Sequence, residues 1–100
     1  MKARTADSLL PALAAIGDPA RRRILALLKR PGLCSLGKTQ GMCACDIEQQ
    51  MKLSQPTISH HMRVLSKAGL VRTEKQGRWR WYRRDEKALR ELLASLRESL

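Results

Sequence analysis

This 100-residue sequence predicts a mainly α domain with a small β element, a winged helix-turn-helix of about five helices and a two-stranded hairpin. Two observations carry the prediction. Two amphipathic segments are separated only by "KLS" (Lys52–Ser54), the link of a helix-turn-helix. Immediately afterwards, "LVRTEKQGRWRWYRR" abandons the helical period of about 3.6 for an alternation of two, which signals a hairpin with a basic tip. Composition agrees: with no Phe and only two Trp and one Tyr, the core must be aliphatic, which suits helices.

Each element has its own local reason. Residues 1–7 read as a flexible basic arm. Asp7 or Ser8 can cap a short helix with Leu9, Leu10, Leu13 and Ile16 on one side, and Pro11 is tolerable in its first turn. Gly17 stops that helix. Asp18 and Pro19 start another as N-cap and first helical residue, with Ile24, Leu25, Leu27 and Leu28 behind the basic run Arg21–Arg23. Pro31 and Gly32 end it, and residues 31–42 read as a loop that carries Cys34. A third helix is expected from Asp46 to Lys52, with Ile47 and Met51 one turn apart and Asp46 and Gln49 at capping-box spacing.

Ser54 caps a fourth helix, Gln55–Lys67, which Ala68 and Gly69 close. On it Ile58, His61, Met62 and Leu65 fall on one stripe, and His60, Arg63 and Lys67 fall opposite. His61 therefore reads as a packed histidine. His60 and His61 are adjacent, so they diverge and cannot converge on one metal. In the hairpin, Gln76 and Gly77 make the turn, and Trp79 and Trp81 read as packing residues of the wing. A last helix from Asp85 to Ser99 carries Leu89, Leu92, Leu93 and Leu96. The whole chain, 1–100, reads as one domain: helix-turn-helix at 44–68, wing at 70–83 and a C-terminal helix at 85–99.

Charge narrows the function. The formal net charge is +11, and between Arg63 and Arg90 there are ten Lys/Arg against three Asp/Glu, so the excess is concentrated in the second half. Such a field favours polyanions, nucleic acid above all. Ser54, Gln55, Thr57, Ser59, His60 and Arg63 on the fourth helix, with Lys75, Gln76, Arg78 and Arg80 on the wing, supply both base-reading and phosphate-binding side chains. Double-stranded DNA is the expected partner. No apolar run approaches the roughly 20 residues of a membrane span, and "MKARTADSLL" lacks a secretory signal, so a cytoplasmic location is expected. There thiols stay reduced, which leaves metal, metalloid or redox chemistry as the use of Cys34, Cys43 and Cys45. No phosphate loop, helical Cys-x-x-Cys or acid–base constellation points to an enzyme, and no resident cofactor is implied.

The blocks "GDPARRRILALL", "MCACDIEQQMKLSQPTISHHMRVLSKAGLV" and "KQGRWRWYR", in this order over about residues 8 to 85, resemble the ArsR/SmtB family of metal-responsive repressors. The resemblance implies a homodimer whose first and last helices form the contact, and operator DNA released when a metal binds. Cys43 and Cys45 match the thiol site of the family's arsenic-responsive branch. Its third thiol falls where this chain has Glu48, which leaves Cys34 as the remaining candidate. The implied inducer is As(III) or Sb(III), with Cd(II) or Pb(II) as alternatives. The cadmium/lead branch adds cysteines in the N-terminal arm, which has none here. The family's zinc site on the last helix needs His, and "DEKALRELLASLRESL" has none.

The residues agree with a soft ligand. On an extended approach to a helix, positions i and i+2 point the same way, so two sulfurs can share one ion. A helix N-terminus favours the thiolate that binds metals, and soft thiolates select As(III), Sb(III), Cd, Pb, Hg or Cu(I). Two other readings keep the DNA binding but change the control: a thiol redox switch, and a constitutive nucleoid-type binder.

Overall fold

The computed structural model describes residues 6–30 and 41–100, so residues 1–5 of the expected arm, most of the loop and Cys34 lie outside the described residues. Ala6 and Asp7 already belong to the first helix, which starts ahead of the expected cap at Asp7 or Ser8. Five helices and three strands follow in order: α1 (Ala6–Ile16), α2 (Pro19–Lys29), β1 (Met42–Cys43), α3 (Ala44–Met51), α4 (Gln55–Lys67), β2 (Val71–Gln76), β3 (Trp79–Arg84) and α5 (Glu86–Ser99). The expected winged helix-turn-helix is the fold observed.

α1 begins at Ala6, so Pro11 lies inside the helix and not in its first turn. The hydrogen bond that proline forfeits would have gone to the carbonyl of Asp7, still within that first turn, and the helix runs on to Ile16. α2 starts as its sequence dictates. The Asp18 carboxylate accepts from the amides of Ala20 (2.7 Å) and Arg21 (3.3 Å), with Pro19 at the first helical position.

α3 departs from expectation. It starts at Ala44, two residues before Asp46, and its N-cap is Cys43, which makes no side-chain capping bond. Asp46 therefore lies within the first turn and does not cap. The cause is β1. Met42 and Cys43 pair antiparallel with Tyr82 and Trp81 of β3, which holds Cys43 extended and makes the chain turn into helix directly after it. The sheet order is β1-β3-β2, so the expected two-stranded wing gains a third, two-residue strand from the end of the presumed loop.

α3 ends on Lys52, whose φ of 56° makes it the one non-glycine with positive φ among the described residues. This left-handed residue turns the chain between α3 and α4. In the wing, pairing runs from Val71↔Arg84 to Gln76↔Trp79, so the turn residues are Gly77 and Arg78, one position later than expected. Gly77 has φ of +59°, and Arg78 is not in the left-handed region, which is the pattern of a type II′ hairpin turn.

The core is aliphatic, as the composition requires. Ile24, Ile47, Ile58, Met62, Leu65, Leu70 and Leu92 are almost wholly inaccessible, and Tyr82 joins them from the wing. The predicted stripe of α4 (Ile58, His61, Met62, Leu65) is buried throughout. α1 packs on α5, and that pair leaves Leu10 and Leu93 59% and 65% exposed. Among the described residues no helix is long and apolar enough to cross a membrane.

Candidate nucleic-acid interface and thiol site

α4 begins with its own cap. The Ser54 hydroxyl accepts from the Thr57 amide (3.4 Å) and shares a hydrogen bond with the Thr57 hydroxyl (2.9 Å), so these two residues also shape the start of the helix. Gln55, Ser59, His60 and Arg63 are exposed along the outer face, and Lys75, Arg78 and Arg80 are exposed on the wing. Gln76 is placed by its backbone alone, at the end of β2.

Helix and wing meet across a cleft of about 450 Å³ lined by Ala44, Cys45, Gln55, Ser59, Arg78, Trp79, Arg80 and Tyr82. A second hollow continues past Ser59, Arg63, Ser66, Thr73 and Arg80. Of the residues singled out from the sequence, Gln55, Ser59, Arg63, Arg78 and Arg80 line these two adjoining hollows, whereas Ser54, Thr57, His60, Lys75 and Gln76 are not among the lining residues. Ser66 and Thr73 hold the far end of the second hollow, hydroxyl to hydroxyl at 3.1 Å. Neither was singled out from the sequence, because each is a small polar residue on an otherwise ordinary helix or strand. Trp81 is buried, as a packing residue should be, whereas Trp79 is 44% exposed and lines the cleft.

The two cysteines occupy different surroundings. Cys43 is 1% exposed, and its thiol donates to Asp46 Oδ2 at 3.0 Å. Cys45 is exposed and opens into the cleft between helix and wing. The expectation that they point the same way assumed extended chain through Cys45. Helix begins at Ala44, and one helical step turns Cys45 away from its neighbour. Among the described residues no three His, Cys, Asp or Glu side chains gather as a metal site. The donor set still suits a soft ion: two thiols separated only by Ala44, at the start of α3.

The basic run of α2 is largely structural. Arg21 donates to the carbonyls of Ala15 (2.7 Å) and Ala14 (3.2 Å), and Arg22 to that of Ile16 (2.6 Å), which satisfies the carboxyl end of α1. Arg21 Nη1 also lies 3.2 Å from His61 Nδ1. A guanidinium can only donate, so Nδ1 accepts and His61 is neutral, as a packed histidine should be. Burial pushes its pKa below the usual 6.5. Asp18 opposes that shift, and the neighbouring charges of Arg21 and His60 reinforce it.

The sign of the pH effect follows. The unfolded chain takes up a proton at His61 as the pH falls through the usual histidine value, while the folded chain resists. Stability is fully present above that value and declines until the lower, folded pKa is passed. We expect the thermal midpoint to fall between about pH 7.5 and 5.5, and His61→Gln to flatten that slope. An unchanged slope in His61→Gln would assign the effect elsewhere.

The wing is also anchored at its base. Asp85 caps α5 by accepting from the Ala88 amide (3.0 Å) and accepts from Arg72 Nε of β2 (3.1 Å), while its own amide donates to the Leu70 carbonyl (2.9 Å).

Comparison with known proteins places this geometry in a lineage. The family model described as "Bacterial regulatory protein, arsR family" matches residues 18–73. An uncharacterized HTH-type transcriptional regulator of Methanocaldococcus jannaschii is 46% identical over 68 residues, which span 68% of this chain and 67% of that one. The arsenical resistance operon repressor of Staphylococcus aureus is 37% identical over 81 residues, 81% of this chain and 69% of its own. An ArsR-like transcriptional regulator from Rhodococcus sp. RHA1 superposes with a TM-score of 0.78 at 26% identity, covering 98% of this chain and 82% of that one. The matched segment runs from the Asp18 cap through α4 into β2, which includes both cysteines of the α3 entry and the helix-turn-helix itself. The chain belongs to the ArsR family of bacterial regulatory proteins.

Proposed function

We propose that the chain is a homodimeric, cytoplasmic repressor that holds double-stranded operator DNA through α4 and the wing. It releases that DNA when As(III) or Sb(III) binds the thiolates of Cys43, Cys45 and Cys34. The observation that carries this reading is the position of Cys45. It lines the same cleft as Gln55 and Ser59 of the helix and Arg78 and Arg80 of the wing, so the inducer thiols and the DNA-reading surface are one neighbourhood. Ser54, Thr57, His60, Arg63, Lys75 and Gln76 extend the DNA surface on either side. The named arsenical repressor among the relatives supports a metalloid inducer. Exposed Leu10 and Leu93 on the packed α1–α5 pair support a second copy as the cover of that face, since so small a domain gains core by association.

In functional terms, residues 44–68 read the DNA, 70–83 clamp its backbone, and 85–99 join the copies. What the chain itself supplies is a pair of soft donors mounted on the first helix of the reading unit, with the cationic cleft beside them. The test is fluorescence anisotropy on a labelled duplex selected by the protein from a random pool. It is titrated separately with As(III), Sb(III), Cd(II), Zn(II) and peroxide. Release at stoichiometric As(III) or Sb(III) with no response to Zn(II) is expected. Release by Cd(II) alone would move the inducer to the alternative soft cations. Release by peroxide alone, reversed by dithiothreitol, would replace metalloid sensing with a redox switch. Binding that ignores every addition would make the chain a constitutive binder.

A further inference from the structure

We propose that the two-residue strand β1 transmits the signal. Its pairing with β3 holds the wing in its DNA-binding position, and drawing the Cys43 thiol out of its seat unpairs the wing.

Cys43 stands at the junction of three things. Its backbone pairs with Trp81 of β3, its residue is the N-cap of α3, and its thiol is bonded to Asp46. Met42 before it is 0% exposed, and Cys43 itself 1%, so the thiol sits inside the fold and not on the surface where Cys45 lies. Cys45, by contrast, already faces the cleft. A ligand shared by both sulfurs is met by movement at Cys43. That movement strains the Met42–Tyr82 and Cys43–Trp81 pairs, which are the whole of the β1–β3 register. The strand it pulls on continues into Arg80 and the wing tip.

Gly41 shows how closely β1 is seated. Its φ is +82°, and a Cβ added there would stand 2.3 Å from the Tyr82 carbonyl oxygen and 2.9 Å from the Trp81 ring. A side chain at this position cannot coexist with β1 lying against β3. Gly41 and Trp81 are thus positioning residues: they let the thiol-bearing segment reach the wing strand. This makes Gly41→Ala a ligand-free imitation of the induced state.

The trigger rests on the metalloid reading above, but the coupling does not, and two experiments separate them. The first uses no arsenic. Gly41→Ala, shown to be folded by circular dichroism, should bind the selected duplex at least about tenfold more weakly than the parent, within the range usual for coupled sites. Binding at parental affinity by the folded variant would overturn the proposal. The second uses Trp79→Phe, which leaves Trp81 as the sole tryptophan. Arsenite should shift the Trp81 emission to longer wavelength in step with duplex release, with bound arsenic counted by mass spectrometry. Arsenic uptake and release with unmoved Trp81 emission would overturn the proposal even if Gly41→Ala failed to fold. No arsenic uptake at all would instead refute the metalloid reading and leave the Gly41→Ala result to decide the coupling.

Discussion

Replacing Cys43 and Cys45 together by serine is expected to leave duplex binding within about twofold of the parent while removing the response to arsenite. The structure explains why the change should be so selective. Serine is among the best N-cap residues, and at position 43 its hydroxyl can donate to Asp46 as the thiol does, so the buried polar pair stays satisfied. At position 45 the side chain is exposed, and the exchange costs no packing. What disappears is the soft donor pair, and with it a coupling that in regulated proteins commonly amounts to about 5–150-fold in affinity. Release by arsenite in the double variant would show that the inducer acts elsewhere. Anisotropy titrations of parent and variant on one duplex make the comparison.

The second large effect concerns charge. Arg63, Arg78 and Arg80 are exposed along the cleft and hollow that join α4 to the wing. Converting all three to Gln should weaken duplex binding strongly at low salt. It should also flatten the plot of log affinity against log salt by about 0.9 for each phosphate that is no longer neutralised. Thermal stability should hardly move, because none of the three contributes to the core. An unchanged salt slope would mean that DNA lies against another face. The same substitutions separate phosphate binding from base reading. Gln55→Ala and Ser59→Ala should alter sequence preference more than the slope.

How much of this was legible in the sequence depends on whether a feature is specified locally. α4 was legible from end to end, because its cap (Ser54), its buried stripe and its stop at Ala68-Gly69 all lie within its own residues. The C-terminal helix, the aliphatic core and the packed state of His61 were legible for the same reason. β1 was not. Two residues show no period, and Met42 and Cys43 are a strand only because β3 lies beside them. That one omission propagated. Without β1, Asp46 has the look of a cap, α3 falls two residues late, and the two thiols are expected to point together. The hairpin turn slips by one position because Gln76-Gly77 and Gly77-Arg78 are equally good on paper, and the register with β3 decides between them. The arginines of α2 read as surface charge. Only the folded chain reveals that Arg21 and Arg22 face the end of the preceding helix.

Arg21 has one more consequence. Its guanidinium touches the last turn of α1 and His61 of α4 at once, from the first turn of α2. In the proposed dimer α1 belongs to the seam between copies, and α4 is the part that enters the groove. A single planar group therefore works as a set-square between the symmetry axis and the reading head. In that proposed dimer, the distance between the two reading heads, and hence the number of base pairs separating two half-sites, would be gauged at that joint inside each protomer as much as at the seam between them.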